Sequence, residues 1–89
     1  MTKAERRAAV CREVVRLLKE ERIRRNLSIN RVAADSGLSQ STVSRLESNP
    51  VNPTIDSFLR VADVLQINLG AVLQQAISAV RRLESKNRS

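Results

Sequence analysis

Histidine, tryptophan and tyrosine are missing from the chain, and cysteine, methionine and phenylalanine occur once each. These absences remove most of the side chains used for general acid-base chemistry, metal ligation and stacking on bases, and they argue against an enzyme and against a bound metal or cofactor. Cys11 has no second thiol to pair with inside the chain, so nothing points to an oxidising compartment, and its neighbours Val10, Val14 and Val15 indicate a packed thiol. No apolar run approaches the length of a membrane span, and Met1 to Arg7 is too charged to open a signal peptide. A cytoplasmic protein with no membrane contact is expected. Only two glycines and two prolines punctuate the chain, and no stretch alternates polar and apolar residues as a strand would.

What is present is charge and helical periodicity. The 89 residues suffice for one domain, and 42% of them are hydrophobic, enough for a single core. Sixteen Lys and Arg against nine Asp and Glu give a net charge of +7 and favour a polyanionic partner. The excess sits at the two ends: nine basic and four acidic residues up to Arg25, three and four from Asn26 to Val80, then four and one. Basic residues surround the first helical segment, and glutamates at helical spacing can pair with several, so a solvated helix is their default reading and contact with flanking phosphates the sharper one.

Thr2 and Glu5 have capping-box spacing before a long helical pattern reaching Arg25. A short second helix from Ser28 to Ser36 should stop at Gly37, where a residue lacking Cβ permits a left-handed turn. Ser39 can cap a third helix running to Ser48, before a loop containing Pro50 and Pro53. Thr54 and Asn68 should cap two more, the last with Leu69, Val72, Leu73, Ala76, Ile77, Val80 and Leu83 in its stripe, and 84–89 should fray. The chain therefore reads as one all-α domain of five helices over residues 1–89, with the first and last extended.

Residues 29–48 carry the functional signal. Ala33 is small where two helices must approach, Gly37 permits a sharp turn, and Val32, Leu38, Val43 and Leu46 supply the apolar side that fixes the pair. With Val43 and Leu46 inward, Ser41, Ser44, Arg45 and Ser48 must face outward. Arg can bond guanine, Gln40 can bond adenine, and the hydroxyls suit bases or phosphates. By itself this face is equally compatible with DNA readout and with a plain solvated helix.

Over roughly Arg22 to Leu73 the sequence resembles the phage repressor and Cro type of helix-turn-helix domain, the Xre family. The likeness rests on Ala33, Gly37, Val43, Leu46, Glu47, Pro53 and the Leu65 region. It implies a lambda-repressor-like five-helix domain that binds double-stranded DNA as a homodimer on a near-palindromic operator and represses transcription. Carried over by position, Gln40, Ser41, Ser44 and Arg45 would read bases, while Asn30, Ser39, Thr42 and Asn52 would meet the phosphate backbone. Two positions depart from the pattern: Ile29 stands where many relatives have a phosphate-bonding Gln, and Asn49 precedes Pro50 where relatives usually have Gly. Glu47 lies about 40° from Val43 around its helix and should need a partner at the core's edge. The resemblance implies that Arg22 is that partner.

The stripe on the last helix continues past the part a compact domain covers, so Ala76, Ile77, Val80 and Leu83 are expected to form the homodimer interface; the competing reading packs them against Ala8, Cys11 and Val15 of the first helix. Within DNA binding, an antitoxin with a toxin partner or a restriction-modification controller would use the same domain. Outside it, the alternative is an interaction module whose basic helix binds an acidic protein or an anionic surface.

Overall fold

The computed structural model describes residues 1–48 and 53–86. Five helices follow one another: α1 (Lys3–Arg24), α2 (Ile29–Ser36), α3 (Gln40–Ser48), α4 (Ile55–Leu65) and α5 (Leu69–Lys86), with no strand among the described residues. Their starts follow from short polar side chains that satisfy otherwise unpaired amide N–H groups. Thr2 and Glu5 form a reciprocal capping box. Ser28 accepts from the Arg31 amide, Thr54 from that of Ser57 and Asn68 from that of Ala71. The ends turn where the backbone goes left-handed, at Asn26 after α1, Gly37 after α2 and Gln66 after α4.

The core is built where α1 crosses α3 and α4 and runs along α5, while α2 closes it against α3 and α4. Val14, Val15 and Leu18 of α1 enter it with Val32, Ala33, Val43, Phe58, Val61, Ala62, Leu65, Leu69, Val72 and Ala76. Fully burying a Val, Leu or Phe side chain contributes roughly 1.5–3 kcal/mol, so this cluster, rather than the exposed ion pairs, holds the five helices together. No buried side-chain nitrogen or oxygen lacks a partner among the described residues.

The molecule is long for its size, 45 × 22 × 18 Å, because α1 and α5 extend beyond the other three helices as an antiparallel arm. Arg6 near the start of α1 donates two hydrogen bonds to Glu84 near the end of α5, at 2.7 and 2.8 Å. The helix therefore continues through Glu84 to Lys86, correcting the expectation that fraying begins at residue 84; residues 87–89 lie outside the described part. No helix among the described residues is long and apolar enough to cross a membrane.

Candidate nucleic-acid interface

The geometry of residues 29–48 starts with two fully covered side chains on α2, Val32 and Ala33. The smallness of Ala33 lets α3 approach closely. After Ser36 the chain must reverse within a few residues, and Gly37 does so at φ +76°, where a Cβ would be strained and would stand 3.1 Å from Arg60 Nη1. Two contacts fix this turn that sequence reasoning missed. Buried Ser36 donates its hydroxyl to the Ala33 carbonyl at 3.2 Å and accepts from the Leu38 amide at 3.4 Å. Arg60, while paired with Asp56 on its own helix, reaches from α4 to donate to the Ser36 carbonyl at 3.1 Å. The Asp56 and Arg60 spacing was legible as an ordinary surface pair; the reach across to α2 depends on the helix crossing and left no local signal.

Ser39 opens α3 by accepting from the Thr42 amide at 3.0 Å, and its hydroxyl also bonds that of Thr42 at 2.8 Å. Val43 then enters the core, with Leu46 packed half-buried against it. At the far end, Glu47 is gripped by Arg22, whose Nε and Nη2 donate to the two carboxylate oxygens at 2.6 and 3.0 Å. The third guanidinium nitrogen, Nη1, donates to the Leu27 carbonyl at 2.7 Å, in the turn between α1 and α2. The two side chains are only 14% and 11% exposed, so the pair is a shielded, two-pronged tie rather than a surface contact. α3 is thus held at its start by a cap, in its middle by the core and at its end by Arg22.

Gln40, Ser41, Ser44 and Arg45 are all exposed on the part of α3 turned away from that core. None of their side chains makes a hydrogen bond or ion pair within the described residues, in contrast with Ser39, Thr42 and Ser48, whose hydroxyls are engaged locally. Between Asn26 and Val80 the basic residues are Arg31, Arg45 and Arg60. Asp35 pairs with Arg31, raising its pKa through the side-chain hydrogen bond, and Asp56 pairs with Arg60. Arg45 alone of the three has no acidic partner among the described residues. A cation without a partner, beside three uncommitted polar side chains on a rigid helix, is suited to bonding an external polar surface.

The expected backbone contacts divide. Asn30 is exposed and uncommitted, Ser39 and Thr42 are tied to each other, and Asn52 lies outside the described residues, as does the Asn49-Pro50 exit from α3. Ile29 packs against the core, which accounts for an apolar residue at that place.

The dimer interface expected on α5 needs correction. Ala76 is fully buried and Val80 is 3% exposed, both inside the chain, where the extended α1 covers them. Ile77 and Leu83 remain 39% and 56% exposed, but they lie about 60° to either side of Val80 around the helix and so belong to opposite flanks. The four residues present no common face to a second copy.

A short helix, a left-handed glycine turn and a second helix with an uncommitted polar face, braced by three further helices, define a helix-turn-helix domain. The family model described as helix-turn-helix matches residues 18–72, from the last third of α1 into α5 and well over half of the chain. The chain belongs to this Xre-like family of DNA-binding transcription regulators. Neither the curated proteins nor the solved structures searched contain a match to it.

Proposed function

We propose that the protein is a sequence-specific repressor that lays α3 in the major groove and blocks transcription by occupying its operator. The observation that carries this reading is the chemistry of the outer face of α3: Gln40, Ser41, Ser44 and Arg45 are exposed and uncommitted on a helix whose inner side is locked in place. In this reading Arg45 and Gln40 supply bidentate bonds to guanine and adenine, and the two serines adjust to neighbouring base edges or phosphates. Asn30 and the Ser39–Thr42 pair meet the backbone and set the register.

Two copies reading an inverted repeat, with half-sites about 34 Å apart, complete the proposal. With Ala76 and Val80 covered, the surface that supports a two-fold contact is on α4, where Ile55 and Leu59 are 61% and 45% exposed one turn apart. Their neighbours Asp56 and Arg60 cancel each other's charge.

Titration of a duplex selected from a random pool, beside a shuffled duplex of the same composition, tests the reading. The selected duplex should bind at least about 10³-fold more tightly at physiological salt, with two chains per duplex by sedimentation. Equal affinity for the two duplexes would reduce the protein to a nonspecific polycation binder and overturn the proposal.

A further inference from the structure

The outer parts of α1 and α5, which form the basic arm, lie outside the family match, since every residue lining the grooves on the arm's two sides falls before Leu18 or after Val72. From Arg22, which holds α3, back to Arg7 is fifteen residues of continuous helix, about 22 Å, so the arm's tip stands well away from the reading face. Its charge therefore calls for a use other than the bases beneath α3.

On one side the arm carries an open groove of about 730 Å³. Its floor is apolar, formed by Val10, Cys11 and Ile77, and Val80 seals it from below. Arg7 and Arg81 stand on its rim, exposed and without an ion-pair partner among the described residues. Arg6 also borders it, but its charge is answered by Glu84, whose bonds raise the arginine's pKa. On the opposite flank, where Arg12, Arg16, Arg82 and Lys86 surround Glu13, Arg16 bonds Glu13 and the groove is smaller, about 500 Å³.

From this geometry we infer that the groove is a docking site for an acidic amphipathic helix of another protein. Two antiparallel helices offer a cleft into which the apolar stripe of a third helix fits, and the Ile77 to Ser85 span allows about two turns of it. Acidic flanks on that helix would meet Arg7 and Arg81 on the two walls. A second copy presenting this same groove would bring the same arginines and be repelled. Nucleic acid would gain nothing from the apolar floor, and a flat anionic membrane would touch the arginines without filling a recessed cleft.

The probe is a synthetic three-turn peptide with leucines at helical spacing, glutamates on both flanks and one tryptophan in the stripe, beside a shuffled peptide of identical composition. The chain has no Trp or Tyr and a single thiol, so tryptophan emission and protection of Cys11 from alkylation both report on the groove without background. The ordered peptide should bind saturably, shift the emission to the blue and protect Cys11. The Arg7→Glu, Arg81→Glu variant should weaken binding at least about tenfold, and the milder Arg7→Gln, Arg81→Gln variant by less, with helix content and affinity for the selected duplex unchanged in both. The inference is overturned if the shuffled peptide binds equally well or if the well-folded variants bind like the parent. It is likewise overturned if Cys11 is protected by phosphatidylserine vesicles, by duplex DNA or by raising the protein concentration, and not by the peptide. Because the peptide readouts involve no operator, failure here leaves the DNA reading standing, and the reverse holds too.

Discussion

Arg22 does more than any other single polar residue to fix the position of α3, because one guanidinium joins three elements: its own helix, the Leu27 carbonyl in the next turn and Glu47 on α3. Replacing either partner by Ala leaves an opposite charge shielded from water and should cost about 3 kcal/mol or more in urea unfolding. The double variant Arg22→Met, Glu47→Leu should recover most of that loss, since neither charge is then stranded; a single variant as stable as the parent would show that the pair contributes nothing. Gly37 is the second such position. Gly37→Ala places a Cβ at φ +76° and against Arg60 Nη1, and it should lower stability by about 1–2 kcal/mol in the same measurement. An alanine variant with unchanged unfolding would mean that the turn relaxes at no cost.

At the scale of elements, α1 ties itself together with carboxylates that are sensitive to acid. The Glu21 carboxyl is held down to about 2, from an ordinary 4.5, first by the bond from Arg24 and next by that from Arg25. Glu13 is lowered by its bond from Arg16, and Glu5 by the backbone N–H of Thr2 in the capping box. A carboxyl whose pKa is lower in the folded than in the unfolded chain stabilises the fold above its unfolded value, and that contribution disappears as pH falls through the folded value. The melting temperature followed by circular dichroism should therefore decline from about pH 4.5 toward pH 2, less steeply in high salt because these pairs face water. A Glu21 carboxyl that titrates at the ordinary value by NMR would contradict this. Element boundaries were largely legible in the sequence because the caps are local: Thr2, Ser28, Ser39, Thr54 and Asn68 each act within three residues. The destination of the α5 stripe was not. Ala76 and Val80 have the same spacing whether a second copy or the chain's own α1 covers them, and only the length and direction of α1 in three dimensions decides it. Arg60 escaped for a related reason, its local pairing with Asp56 being visible and its bond to Ser36 not.

At the scale of the whole molecule, charge and apolar surface are divided between two ends of a 45 Å particle. The compact end, matched to the helix-turn-helix family, is nearly neutral from Asn26 onward, and there Arg45 is the arginine without an acidic partner among the described residues, while the arm holds much of the remaining positive charge. This division predicts that base discrimination depends on a few side chains of α3 and not on the total charge. The most direct measurement is selection from a random duplex pool by the parent and by Arg45→Ala, scored position by position. The parent should enrich one defined sequence, and the variant should lose preference at one base pair per half-site while binding the parent's best duplex about 1–3 kcal/mol more weakly, with unfolding unchanged. A variant that enriches the parent's sequence in full would contradict the placement of α3 in the groove.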